Sequence, residues 1–136
     1  MIVLDEQLLG RGLERDIAQW YRGAVQFITD LRPHTIINDE AIPTLLRQRS
    51  QPTFVTINDR DFGRKVAPDQ RYCIVCFAWS DARAREIPPA LRAVLRRPEL
   101  RTKAQRMGQI IRVTNDDISY YTLSDRQVRT IPLAVQ

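Results

Sequence analysis

The sequence predicts an α/β fold in which a short parallel sheet is followed by a C-terminal β-hairpin. Up to about residue 107, short apolar runs alternate with amphipathic segments, a pattern typical of a parallel sheet with connecting helices. After Gly108, segments rich in β-branched and aromatic residues follow one another with turn residues between them. The length of 136 residues fits one domain. We therefore expect a single domain, 1–136, with an α/β core at 1–107 and a hairpin extension at 108–136.

The first elements are predicted from the spacing of apolar residues. Residues 2–4 form an apolar run that two acids stop, which favours a short buried strand. Between residues 8 and 21 the apolar side chains recur at spacings of three and four, which indicates an amphipathic helix. Residues 24–28 predict a second strand, and the segment 29–38, with the chain's single histidine His34, predicts a loop.

The middle of the chain predicts a helix and two strands. Residues 39–49 read as a helix, in which Pro43 is tolerated because it lies close to the helix start. The β-rich run 53–57 predicts a strand that ends abruptly in acidic turn residues. Residues 72–79 are almost continuously apolar, which is typical of a central strand buried on both faces.

The last third of the chain moves from helix to strand. Pro88 and Pro89 open a predicted helix that extends to Arg97, and a shorter helical piece is expected up to Met107. Alternating and β-branched residues then predict three strands, at 109–114, 118–123 and 128–133.

Composition and charge limit the function. No apolar run approaches the roughly 18–20 residues that a membrane span needs, so no membrane partner is expected. The N-terminal apolar run meets acids at once, unlike a signal peptide, and two cysteines do not make a disulfide framework, so we expect a cytoplasmic protein. Residues 1–70 hold 9 basic and 10 acidic residues, whereas residues 71–136 hold 12 and 6. An arginine-rich half favours a polyanionic partner, and the alternative is a solvated basic surface.

Acidic residues fall where predicted strands end or a helix begins. Asp5 and Glu6 follow the first strand, and Asp59 and Asp61 follow the strand at 53–57. Two further acids, Asp39 and Glu40, open the second helix. Ligands of parallel α/β sheets bind outside the carboxyl ends of the strands, so these clusters are expected to converge on one crevice.

Converging carboxylates favour a divalent cation. Like charges at short range repel one another unless a cation lies among them, and oxygen ligands suit Mg²⁺ or Mn²⁺. For any single acid, capping a helix or occupying a turn is the commoner role. The joint pattern points to a metal site, which would activate water and stabilise a phosphoryl transition state.

Three segments resemble the small PIN-like proteins, compact relatives of the PIN-domain nucleases, many of which are encoded as toxins. The segment 2–8 (Ile-Val-Leu-Asp-Glu-Gln-Leu), with Arg11 after it, is similar to their "hydrophobic-Leu-Asp-Glu-Asn-Leu…Arg" opening. The segment 38–42 (Asn-Asp-Glu-Ala-Ile) resembles their "Asp-Glu-Glu-Ile" helix start. The segment 58–63 (Asn-Asp-Arg-Asp-Phe-Gly) resembles their "Asp-Arg-Asp-Phe-Gly" signature and is the most specific match. The strand at 72–77, the basic helix and the terminal hairpin also fit the layout of the family, so the resemblance extends over nearly the whole chain.

The resemblance implies a PIN-like three-layer α/β fold and a Mg²⁺- or Mn²⁺-dependent endoribonuclease, the toxin of a toxin–antitoxin pair. Its partners would be RNA, an antitoxin protein and a second copy of the chain. By position in the motifs, the catalytic and metal-binding acids would be Asp5, Glu40, Asp59 and Asp61, with Glu6 and Asp39 as the weaker candidates. The chain departs from the family at Gln7, where Asn is usual, and at Ile57, where Thr or Ser is common. Thr56 or Asn58 could supply the missing polar group.

Arginines in and near the basic helix are the candidate RNA contacts. Nucleic-acid backbones are held by Arg and Lys, which fork onto phosphate without reading bases. The five candidates are Arg11, Arg60, Arg92, Arg96 and Arg97. The same face would also suit an acidic partner protein, so the alternative function is a PIN-like RNA- or protein-binding module without catalysis.

Two other patterns are assigned structural roles. Cys73 and Cys76 have C-x-x-C spacing, but they lie within an apparent strand, where residues three apart point to opposite faces. We expect two core cysteines and no redox pair or zinc site. A receiver-type phosphate-binding domain also gathers acids at strand ends, but the lysine it needs after a later strand is missing around Trp79.

Overall fold

A computed structural model describes residues 1–58 and 66–133 as a mixed, mostly parallel β-sheet with helices on both faces. Within these residues the sheet has seven strands in the order β2-β1-β3-β4-β5-β6-β7, of which the first five are parallel. The strands are β1 (Ile2–Leu4), β2 (Val25–Phe27), β3 (Thr53–Ile57), β4 (Cys73–Phe77), β5 (Gln109–Val113), β6 (Asp117–Thr122) and β7 (Arg129–Pro132). The α-helices are α1 (Leu13–Ala18), α2 (Ile42–Arg47), α3 (Ile87–Arg96) and α4 (Lys103–Arg106).

The two faces of the sheet carry separate apolar clusters. One cluster joins side chains of β1, β3 and β4 to α1 and α3. The other joins the opposite faces of the same strands to α2. This arrangement follows from β3 and β4, whose residues are all buried, because a central parallel strand must be covered on both sides.

The connections determine which helices are neighbours. The chain steps from β1 to β2 in one direction and from β4 to β5 in the other, yet both connecting helices, α1 and α3, lie on the same face. One of these two connections therefore departs from the usual right-handed crossover. The consequence is that α1 and α3 pack against each other, and a groove forms along α3.

The predicted strands are confirmed to within two residues at each end, and the helix at 39–49 appears as a 3₁₀ turn, Asp39–Ala41, that leads into α2. The helix predicted over 8–21 is wrong in its extent. A 3₁₀ turn occupies Glu6–Leu8, and the α-helix begins only at Leu13. Gly10 and Gly12, with φ of 77° and 73°, adopt left-handed conformations that interrupt the helix.

The C-terminal strands are antiparallel and continue the main sheet. β5 and β6 form a hairpin, and β7 pairs with the outer side of β6. Because β5 also pairs in parallel with β4, the hairpin grows from the core sheet itself. No helix of the described residues is long and apolar enough to cross a membrane.

Candidate metal site and nucleic-acid surface

Asp5 lies directly after β1, at the carboxyl edge of the parallel strands. The register that pairs Leu4 with Val55 brings Asp5 alongside Thr56 of β3. The Asp5 amide donates to the carbonyl of Val55 at 2.9 Å, and the Thr56 hydroxyl donates to the Asp5 carboxylate at 2.7 Å. Only 2% of Asp5 is exposed. The protein therefore holds a buried carboxylate in a fixed position between two strands.

This position is the topological switch point of the sheet. From β1 the chain turns towards β2 on one side, whereas from β3 it continues towards β4 on the other. Connections that leave neighbouring strands in opposite directions open a crevice at the carboxyl edge, and ligands of α/β sheets bind there. Asp5 and Asn58, which follow β1 and β3, lie at the strand ends that border this switch point.

The structural alternative for Asp5 was that it caps a helix. Asp5 does occupy the position before the 3₁₀ turn Glu6–Leu8, but its side chain makes no capping hydrogen bond. A buried carboxylate that is not needed as a cap loses hydration without stabilising a helix terminus. This observation removes the commonest structural explanation for the acid.

The other predicted acids that the structure describes are exposed. Glu6 lies in the 3₁₀ turn after β1, and Asp39 and Glu40 lie in the turn that precedes α2. Neither Asp39 nor Glu40 makes a side-chain hydrogen bond or an ion pair with another described residue, so neither acts as a cap. Across residues 1–58 and 66–133, no three side chains of the His, Cys, Asp and Glu types lie together as a metal site.

The most specific motif falls outside the described residues. Asp59, Arg60 and Asp61 belong to the segment 59–65, so the full set of acids that the sequence predicts is not tested by this geometry. What the structure describes is the residue just before that segment. Asn58 follows β3 with a φ of 64° and donates its amide to the carbonyl of Phe77 at 2.8 Å.

Thr56 is the polar side chain that accompanies Asp5. In the sequence, Ile57 stands where a hydroxyl residue was expected, and the structure buries Ile57 in the apolar cluster with α1 and α3. Successive residues of a strand face opposite sides, so Thr56 and not Ile57 points to the Asp5 side. Of the two substitutes that the sequence offered, Thr56 makes the contact.

The predicted RNA contacts of α3 line a long groove. Arg92 and Arg96 are exposed on this helix, and both border a groove of about 770 Å³. Arg83, whose guanidinium lies 4.1 Å from the centre of the Trp79 ring, and Arg85 border its other end. These four cations outnumber the two acids that line the groove.

The remaining predicted arginines lie at other places. Arg11 is exposed and donates to the carbonyl of Asp81 at 2.8 Å, close to the carboxyl end of β4. Arg97 is only partly exposed, and its buried Nε has no hydrogen-bond partner in the described part of the chain. Arg97 therefore differs from Arg92 and Arg96, which border the groove.

A second concave region was not predicted from the sequence. It lies at the amino ends of the strands, has a volume of about 300 Å³ and includes Arg101, Lys103 and Arg106 together with Trp20 and Tyr21. The basic run between residues 83 and 106 signals its charge, but nothing local in the sequence indicates that Arg106 folds inwards to 3% exposure.

The two cysteines are core residues, as expected. Cys73 belongs to the cluster that contains α1 and α3, and Cys76 belongs to the cluster on the opposite face. Burial raises the pKa of the Cys73 thiol to about 12, although the nearby Arg106 acts against this shift. A thiol so buried is not a nucleophile at neutral pH.

The Asp5 crevice and the groove along α3 are the features that bear on function. Comparisons with protein-family models, with curated proteins and with solved structures find no match to this chain. The mixed α/β architecture is therefore what the structure shows, and the resemblance to the small PIN-like proteins stays a prediction.

Proposed function

We propose that this protein is a metal-dependent endoribonuclease whose principal metal ligand is Asp5. The observation that carries the proposal is a buried carboxylate at the switch point of a parallel sheet, fixed by a threonine hydroxyl and not used as a helix cap. Buried ionisable groups held in a fixed position at the end of a parallel sheet are typical of functional sites.

The donor set fits Mg²⁺ or Mn²⁺. A carboxylate beside a hydroxyl offers hard oxygen ligands, which these ions prefer. Asp59, Asp61 and Glu40 are proposed to complete the ligand set with Asp5, and Glu6 and Asp39 are the weaker candidates. When bound, the ion would lower the pKa of a water molecule and offset charge on the phosphate. Thr56 keeps the Asp5 carboxylate aimed at the crevice by donating to one of its oxygens.

The substrate is proposed to be RNA held along α3. Its exposed Arg92 and Arg96, with Arg83 and Arg85 further along the groove, supply the positive charge that a phosphodiester backbone requires. Arg11 and Arg60 would add contacts nearer the crevice, and Arg97 would contribute less because it is partly buried.

The test is cleavage of a mixed-sequence RNA with Mg²⁺ or Mn²⁺. Asp5→Asn and Asp59→Asn should each abolish metal-dependent cleavage, with rates at least about 100-fold below wild type, because each removes a charge that holds the ion. Asp116→Asn is the matched control, since Asp116 is exposed between β5 and β6 and is not among the proposed metal ligands. Cleavage that survives both substitutions would contradict the proposal.

The second candidate is a binding module of the same fold without catalysis. Glu6, Asp39 and Glu40 are exposed, and among the described residues no three side chains of the His, Cys, Asp and Glu types lie together. This arrangement favours the binding module. RNA that is retained but never cut by clean wild-type protein would support this function. A toxin role with an antitoxin partner, and pairing with a second copy, follow from the resemblance alone. The toxin role is tested by whether expression arrests growth.

A further inference from the structure

The cavity at the amino ends of the strands contains a buried arginine, Arg106, with which no carboxylate of the described residues forms an ion pair. The guanidinium of Arg106 is 3% exposed and donates to the Thr53 hydroxyl at 3.2 Å and to the carbonyls of Leu100 and Arg101, each at 3.0 Å. Burying a cation with neutral partners alone is unfavourable, so an anion bound beside Arg106 would be stabilised.

Four more cations surround the same cavity. Arg92, Arg96, Arg101 and Lys103 line it with Arg106, and no acid is among the described lining residues. None of the four forms an ion pair within the described part of the chain. Burial, and after it the positive charges of Lys103 and Arg106, lower the pKa of the neighbouring Met1 α-amino group to about 6. Such mutual repulsion is relieved when an anion enters.

The apolar part of the lining indicates what else the ligand carries. Trp20 and Tyr21 present aromatic rings, and Leu95 of α3 lies beside them. The indole Nε1 of Trp20 is buried and has no hydrogen-bond partner among the described residues. Aromatic rings next to arginines are the combination that holds a base and its phosphate. The cavity of about 300 Å³ is at the lower end of the range for small-molecule sites, roughly 300–1,000 Å³, which fits one nucleotide.

We propose that this cavity binds a nucleoside phosphate, with the phosphate on the cations and the base against Trp20 and Tyr21. The site is separate from the Asp5 crevice. Arg106 contacts Thr53 at the start of β3, whereas Asp5 contacts Thr56, which lies about 10 Å further along the same strand. The cavity shares Trp20, Arg92 and Arg96 with the groove along α3, whereas Tyr21, Arg101, Lys103 and Arg106 line the cavity alone. Binding here needs no divalent ion and does not depend on ribonuclease activity.

The ligand has two sources with the same chemistry, a free nucleoside monophosphate or the 5′-phosphorylated end of an RNA. Calorimetric titration in EDTA with AMP, GMP, CMP and UMP, with 5′-phosphorylated and unphosphorylated tetranucleotides, and with adenosine distinguishes them. We expect each phosphorylated probe to bind, and adenosine to bind at least about tenfold more weakly, because it lacks the charged group. A 5′-phosphorylated tetranucleotide that binds tighter than both the monophosphates and its unphosphorylated form assigns the site to an RNA end. Equal affinity assigns it to the free nucleotide.

Variants at exposed lining residues test the position without unfolding the protein. Arg101→Gln with Lys103→Gln should weaken the binding of the monophosphates at least about tenfold. Arg49→Gln with Arg126→Gln removes the same charge from exposed positions outside the cavity and should change affinity less than about twofold. Absence of nucleotide binding, equal binding of adenosine, or equal loss in the control variant would each overturn the proposal, and none of these results bears on cleavage at Asp5.

Discussion

Asp5 and Thr56 meet because β1 and β3 are sheet neighbours in a fixed register, although 51 positions separate them in the chain. Asp5 was predicted from its place after an apolar run, and Thr56 was one of two residues expected to supply a polar group. Choosing between Thr56 and Asn58 required the register, since it decides which side chain faces the acid.

Substitution of Thr56 tests how much this contact stabilises the protein. Thr56→Val keeps the branched shape and removes the hydroxyl that donates to the buried carboxylate, so the free energy of unfolding should fall by about 1.5–3 kcal/mol. Urea titration measures this change. Thr130→Val, on the exposed edge strand β7, is the control and should cost less than about 0.5 kcal/mol. Equal small losses in both variants would show that Asp5 does not depend on Thr56.

The burial of Arg106 could not be predicted from the local sequence. Arginines of a basic segment are ordinarily solvated, and no local sequence feature separates Arg106 from Arg101. Its burial results from the packing of α4 against the start of β3, where three oxygen acceptors meet its guanidinium. Such an environment is assembled from segments far apart in the chain, so spacing alone does not reveal it.

In the first helix, the spacing of apolar residues predicts the buried face correctly but places the start of the helix too early. Leu13 and Ile17 are buried and Trp20 packs against the same cluster, as the spacing of three and four predicts. The same spacing extends back to Leu9, but Leu9 is 47% exposed and lies before two left-handed glycines. Periodicity reports which residues could share a face, whereas the glycines decide where the helix begins.

Substitution of Gly10 tests this explanation. The residue has a φ of 77°, and a Cβ added to it would meet no atom within 4 Å, so any penalty comes from the backbone conformation alone. Gly10→Ala should lower the free energy of unfolding by about 1–2 kcal/mol, and Gly10→Asn should lower it less, because Asn tolerates the left-handed region. Thermal and urea unfolding measure both variants. If Ala proves harmless, the helix start is not set by this glycine.

At the scale of the whole molecule, the two proposed sites, one acidic and one cationic, lie at opposite edges of the sheet. The carboxyl edge holds Asp5 at the switch point, and the amino edge holds the cationic cavity, which shares Arg92 and Arg96 with the groove along α3. The alternation of strands and helices predicted a parallel sheet, and the structure confirms it. The strand order was not predictable from local patterns, because pairing between distant strands depends on which faces and connections the whole chain can satisfy.

The proposed function depends above all on the Asp5 carboxylate belonging to a divalent-cation site, and calorimetric titration with Mn²⁺ tests this directly. We expect wild-type protein to bind Mn²⁺, Asp5→Asn to bind it at least about tenfold more weakly, and Asp116→Asn to bind it as wild type does, since Asp5 is a proposed metal ligand and the exposed Asp116 is not. Circular dichroism of Asp5→Asn should match that of wild type, so that the loss reports the site and not the fold. Mn²⁺ binding that is equally tight in Asp5→Asn and wild type would contradict the assignment of Asp5 as a metal ligand.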